Sequence, residues 1–289
     1  MNKRSSSWTR PRPTRTDSPP FPFVVGCGRS GTTLLRAMLD SHPALAIPPE
    51  SYFVAELVAE WPPDRPFSWD DYLERLRVHD RFLRWDLPID ALASDDAAED
   101  FAGAVRRTFA AYARARGKPR HGDKTPRYVQ DVETIAALLP EARFVHVIRD
   151  GRDVALSFLE REWGPRTVEE AARRWRKRVK AGRRGGSAVG PGRYVEVRYE
   201  RLVEDPEGEL ARVCALIDLD PAPEMLRYFE RADEVVAGTK YPGQHRGIAA
   251  PPTKGLRDWR TAMPPDDVAT FETIAGGLLE ELGYERAGG

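Results

Sequence analysis

The chain has 289 residues, 41% of them hydrophobic, and balances 45 Lys and Arg against 45 Asp and Glu. That is enough for one α/β domain with its own core, and a net charge of zero argues against a global pull toward nucleic acid or an anionic membrane. Two cysteines far apart, Cys27 and Cys214, argue against a disulfide framework or a zinc site and point to a reducing, cytoplasmic setting.

No apolar run approaches the ~20 residues of a membrane span. Residues 1–20 are basic and rich in Pro and Ser, with no apolar segment behind them, and read as a disordered arm before a single domain over 21–289. Residues 22–26, PFVVG, predict a buried strand. GCGRSGTTLLR follows, residues 26–36, with the frame of a phosphate loop, G-x-x-x-x-G-K-[ST], except that Thr32 stands in the lysine position. Gly26, Gly28 and Gly31 let the backbone turn tightly with its N–H groups inward, and a helix over 32–41 adds the positive end of its dipole. Without the lysine, the β/γ end of a magnesium-bound triphosphate is under-neutralised. Arg29 supplies a cation from inside the loop, and its planar fork suits a tetrahedral oxyanion. A glycine-rich turn without a ligand is the plainer alternative.

Residues 44–47 predict a short second strand, stopped by Pro48-Pro49, which directs Glu50 over the same edge as the loop. Residues 51–116 read mostly as helices, a helical insertion. Residues 121–126, HGDKTP, read either as a surface turn or as the setting of a functional Lys124. Residues 143–148 predict a strand and 150–160 a helix, so Arg149 ends a strand and Ser157 lies about two helical turns on. Residues 167–184 predict a strongly basic helix, anchored by Trp175 and Val179 with its cations in solvent. Residues 193–198 alternate as another strand ending at Tyr199, and 238–255 form a Gly/Pro-rich loop. Strands alternating with helices predict an α/β fold: a P-loop-like, doubly wound, mainly parallel sheet with helices on both faces. Ligands of such sheets sit beyond the C-terminal strand ends, where Gly26, Arg149 and Tyr199 fall.

The stretch RSGTTLLRAMLDSHP resembles the phosphosulfate loop of sulfotransferases that use 3′-phosphoadenosine 5′-phosphosulfate (PAPS), closest in motif to the tyrosylprotein branch and its bacterial relatives. The resemblance implies that Arg29, Ser30, Gly31, Thr32 and Thr33 surround the phosphosulfate. It implies no metal and no γ-phosphate, which accounts for the missing lysine. RDGRDVALS resembles the family's second motif, in which a strand-end arginine, here Arg149, and a helix serine, here Ser157, hold the 3′-phosphate. Glu50 matches the spacing of the tyrosylprotein enzymes' general base, although Pro49-Glu50 keeps only the second acid of their Glu-Glu pair. Lys124 resembles a lysine that approaches the leaving oxygen, with Asp123 available to orient it. Tyr199 resembles a residue near the nucleotide. Lys254 and Arg257 match, more loosely, a closing loop near the 3′-phosphate and adenine.

His121 is the rival base, since cytosolic sulfotransferases use a histidine. His42 is expected to cap or pack, and His146 to sit in the core. A tyrosyl, sugar or other small-molecule hydroxyl remains open as acceptor, with no nucleic acid partner expected. A nucleotide kinase or ATPase with an atypical loop, and a binding module without catalysis, are the competing functions.

Overall fold

A computed structural model describes residues 18–62, 65–93, 97–233, 248–251 and 258–287. Four parallel strands form the main sheet: β1 (Phe21–Gly26), β4 (Asp123–Lys124), β5 (Ala142–Ile148) and β6 (Tyr194–Arg198), in the order β4-β1-β5-β6. The register is tight, with Val24 opposite Lys124, Gly26 opposite Val147 and Ile148 opposite Arg198. Lys124, Gly26, Ile148 and Arg198 therefore end their strands along one rim. The chain leaves β1, pairs first on one side through β4 and then on the other through β5. That reversal opens the crevice in which doubly wound sheets bind ligands.

The predicted second strand is present as β2 (Leu45–Ala46), but outside the main sheet. It pairs with β3 (Arg120–His121) in a separate parallel two-stranded sheet. The reason lies in residues 120–124, which use their first two residues to pair β2 and their last two to pair β1. Gly122 makes the crossing, because a Cβ there would lie 2.9 Å from the Pro22 ring and 3.3 Å from Ile47. Lys124 thus belongs to a buried strand of the main sheet and not to a surface turn.

Side-chain alternation along the strands divides the core. Phe21, Phe23 and Phe144 face one side and join α5 (Phe101–Arg114), α6 (Val132–Leu138) and the helical segment over 51–116. That segment also contributes α2 (Phe53–Leu57), α3 (Trp69–Val78) and α4 (Asp90–Ala93), around an aromatic cluster of Phe53, Trp61, Tyr72, Trp85 and Phe109. Val24, Val145, Val147 and Val197 face the other side, against α1 (Thr32–Asp40) and α10 (Pro206–Ile217), the latter following the short α9 (Tyr199–Glu204). A third cluster binds α7 (Gly151–Leu159), α8 (Val168–Val189), α11 (Trp259–Ala262) and α12 (Pro265–Glu281) beside the loop.

Helix α8 carries the predicted basic stretch, and Trp175 and Val179 are fully buried as expected. Its glycines let it lie unusually close to the sheet. A Cβ at Gly182 would sit 2.5 Å from both the His146 ring and Val129. His146 is a core residue, its Nδ1 2.6 Å from the Tyr194 hydroxyl, and His42 fastens the end of α1 by accepting from Ala44 N at 3.0 Å. Among the described residues, no helix is long and apolar enough to cross a membrane. Lys254, Arg257 and residues 1–17 of the basic arm lie outside the described residues.

Candidate active site

The loop between β1 and α1 is built as an anion cradle. Gly31 caps α1 at φ 95° with no side chain closing the helix end, so the first N–H groups of α1 point outward along the positive end of its dipole. Glycine is required there twice over. Its φ is left-handed, and a Cβ would lie 2.2 Å from the Tyr199 ring. Arg29 also takes a left-handed φ, of 71°, and turns its side chain across the rim, where Nε donates to Ser157 Oγ at 3.0 Å.

Arg149 leaves the end of β5 and stacks on Tyr199, its guanidinium carbon 4.4 Å from the ring centroid. Its Nη2 pairs with Asp153 at 3.2 Å, and the other oxygen of Asp153 accepts from Trp259 N at 3.0 Å. Arg29 is thus bonded to Ser157 and Arg149 stacked on Tyr199 along one edge, with Gly31 also packed against the Tyr199 ring. Two buried polar atoms on this edge, Ser30 Oγ and Arg149 Nε, have no hydrogen-bond partner among the described residues. Native proteins leave few such atoms, and donors left open at a helix N-terminus fit an oxyanion.

The next residue of the motif, Arg152, has a structural role that sequence reasoning did not assign. It is fully buried and binds Asp150 through Nε at 3.0 Å and Nη2 at 2.7 Å, and Glu272 through Nη1 at 2.6 Å. Its guanidinium carbon lies 3.5 Å from the Trp259 ring centroid. The start of α7 is thereby tied to α11 and α12.

Glu50 and Lys124 meet at the neighbouring part of the rim. Lys124 Nζ donates to Glu50 Oε1 at 2.8 Å, and Arg81 stands 4.0 Å from the other carboxylate oxygen. Burial pushes the Glu50 carboxyl up, but Lys124, Arg81 and the nearby Tyr52 hydroxyl outweigh it and hold the group below the usual carboxylate range. Burial lowers Lys124 against the opposing pull of Glu50. The two face each other at the rim, Lys124 at 2% exposure and Glu50 more open.

The turn that carries Glu50 is strained. Tyr52 sits at φ 57°, ψ −37°, and Phe53 N donates to Ser51 O at 2.6 Å, which is the geometry of a γ-turn of the rare hand. Such a conformation costs about 1–3 kcal/mol and persists only where its surroundings hold it. Here Ser51 N donates to Thr125 Oγ1 at 2.9 Å, Ser51 Oγ lies 2.9 Å from the Tyr128 hydroxyl, and Val54 N donates to that same hydroxyl at 3.0 Å. Arg81 covers the Tyr52 ring at 4.4 Å. Asp123 closes the network behind Lys124. It is fully buried, burial pushes its carboxyl up to about 7 against the Ser51 and Thr125 hydroxyls, and its Oδ1 has no partner.

His121 lies elsewhere, its ring edge-on to Phe21 at 4.5 Å between centroids, with burial pushing it down to about 4. Sequence reasoning did not find Arg81, Tyr52, the Ser51–Thr125–Tyr128 network or the loop-facing side of α8. Their sole signal was proximity in the fold, which spacing along the chain does not carry.

A parallel sheet whose first loop opens on a helix N-terminus, with a second arginine site one strand over, defines the class: an α/β protein of P-loop-like architecture. Comparison with known proteins gives the family. The model of the sulfotransferase family matches residues 20–223, and the chain belongs to that family. It is a sulfotransferase, of the family that uses PAPS. It is 29% identical over 306 residues to the nodulation protein NoeE of Sinorhizobium fredii, spanning 94% of this chain and 68% of NoeE. It is 27% identical to a putative protein-tyrosine sulfotransferase of Caenorhabditis briggsae, across 91% of this chain and 88% of that one. The sulfotransferase domain from the curacin biosynthetic pathway superposes with a TM-score of 0.66 at 22% identity, over 94% of this chain and all of the domain, a likeness of fold.

Proposed function

We propose that the chain transfers a sulfuryl group from PAPS to an acceptor hydroxyl, with Glu50 as general base. The observation that carries this reading is the pair of buried donors, Ser30 Oγ and Arg149 Nε, left open among the described residues on the rim that also carries the Arg29–Ser157 bond. In this reading Arg29, Ser30, Gly31, Thr32 and Thr33 hold the phosphosulfate, while Arg149 and Ser157 hold the 3′-phosphate beside Tyr199. Lys254 and Arg257 are proposed to complete the nucleotide site.

PAPS supplies an activated sulfuryl group on a phosphate that leaves readily. Glu50 takes the proton of the acceptor hydroxyl as the new S–O bond forms. The electron pair of the broken S–O bond stays on the phosphate oxygen of adenosine 3′,5′-bisphosphate (PAP). Lys124 and Arg29 offset the charge gathering there, a service for which one lost donor costs about 3–4 kcal/mol. The pairing of Glu50 with Lys124 supports both roles, since each partner favours the charged form of the other. A weakly basic carboxylate suits an acceptor whose hydroxyl is itself acidic, such as a phenol.

Calorimetry with PAP and with ATP·Mg, followed by transfer of radiolabelled sulfuryl to a panel of phenols, sugars and tyrosine peptides, tests the reading. Binding of PAP without metal and labelling of a hydroxyl acceptor are expected. Metal-dependent ATP binding without PAP binding would overturn it.

A further inference from the structure

We infer that Arg178 of α8 is a third cation of the site and contacts the sulfuryl oxygens of the donor. The inference rests on the PAPS reading above and adds a residue that neither motif contains.

Helix α8 carries many arginines, and most have partners. Arg173 pairs with Glu169, Arg183 with Glu196 and Glu281, Arg184 with Glu133, and Arg176 donates to Ile274 O. Arg174 and Arg178, one turn apart, have no carboxylate within 4.0 Å among the described residues. They also share the face that meets the loop. Trp175 Nε1 donates to Arg149 O at 3.1 Å, which fixes the rotation of the helix. With that rotation, Arg178 Nη1 lies 3.7 Å from where a Cβ on Gly28 would stand, and Arg174 is 5.6 Å from the centroid of the Phe158 ring that flanks the same glycine.

The charge of Arg178 also reaches beyond the loop. It acts on Cys27 on one side and on Tyr52, beside Glu50, on the other. The guanidinium thus lies beside Gly28 of the phosphosulfate loop, close enough for its charge to be felt at Tyr52, two residues after the proposed base. A half-buried arginine without a carboxylate among the described residues, beside a glycine of the loop, fits a bound oxyanion. Arg174 lies farther out and supports the local field.

PAPS and PAP differ by the sulfuryl group alone, so the ratio of their affinities isolates this contact. Arg178→Met is expected to leave PAP affinity within about twofold and to weaken PAPS by about tenfold or more, the worth of a hydrogen bond to a charged group. Arg178→Lys, which keeps the charge on a shorter reach, should fall between. Arg173→Met, an exposed cation on the same helix, should change neither. Equal losses for both ligands, or no loss for either, would overturn the role of Arg178. If Cys27→Ala reproduced the change in ratio, Arg178 would be supporting the loop and not touching the donor. A wild-type chain that binds no PAP brings down the PAPS reading itself, a result distinct from either.

Discussion

Arg29 Nε donates to Ser157 Oγ at 3.0 Å across 128 positions of chain, joining the loop after β1 to the helix that follows Arg149. The bond brings the loop after β1 and the helix after β5 side by side. Ser157→Ala removes the acceptor and loosens Arg29. PAP affinity is expected to fall about tenfold, in line with a net ~1–1.5 kcal/mol for one hydrogen bond, as read by calorimetry. Unchanged affinity would remove Ser157 from the nucleotide site.

Glu50→Gln keeps the shape of the carboxylate but cannot take a proton. It should retain PAP binding and lose about 10²–10⁴-fold in turnover, the usual worth of a general base. Wild-type turnover in the variant would exclude Glu50 from the chemistry.

The pH dependence carries the sign of the ion pair. With Lys124 in place, Glu50 is held below its ordinary value, so the acid limb of the rate profile should fall below pH 4.5. Lys124→Met removes the largest opposing cation and leaves the burial. The acid limb should then move to higher pH, while kcat falls for loss of the charge near the leaving oxygen. A limb that stays in place would show that another group controls it.

Asp123 gives a stability signature of opposite direction. Its folded value of about 7 lies above the ordinary 3.8, so between those limits the folded state holds the proton that the unfolded chain releases. Stability from this group is greatest below pH 4 and declines as pH rises to about 7. The decline amounts to about 4 kcal/mol, at 1.36 kcal/mol for each pH unit. Asp123→Asn should flatten that slope and raise the melting temperature at pH 8. A wild-type slope in the variant would assign the effect to another residue.

Arg152→Met leaves Asp150 buried without its cation and Glu272 with Arg286 alone. Loss of one partner from such a set costs about 3–5 kcal/mol, so denaturant unfolding should shift by that amount. The loss should appear in stability before it appears in PAP affinity, because Arg152 faces α11 and α12 and not the loop.

Much of the architecture was readable along the chain because the signals were local. The apolar run of β1, the glycines of the loop, the periodicity of α1 and the alternation of β6 each depend on near neighbours. Both strand–loop–helix units were equally legible, since each depends on its own near neighbours. Lys124 shows where this stops. Its two-residue strand is too short to carry a period, and only pairing with Val24 makes it part of the sheet.

The sequence by itself determined the longer strands and helices and the residue types in the loops that follow β1 and β5, because those follow from backbone preference and side-chain chemistry over a few positions. Only the tertiary structure decided that Glu50 meets Lys124, that Arg29 reaches Ser157 and that Arg178 faces the loop. Those contacts depend on how far a helix rotates and how closely it approaches the sheet, quantities set by Trp175, Gly182 and buried hydroxyls distant in the chain. Packing converts such small displacements into contact or its absence, and no local pattern encodes them.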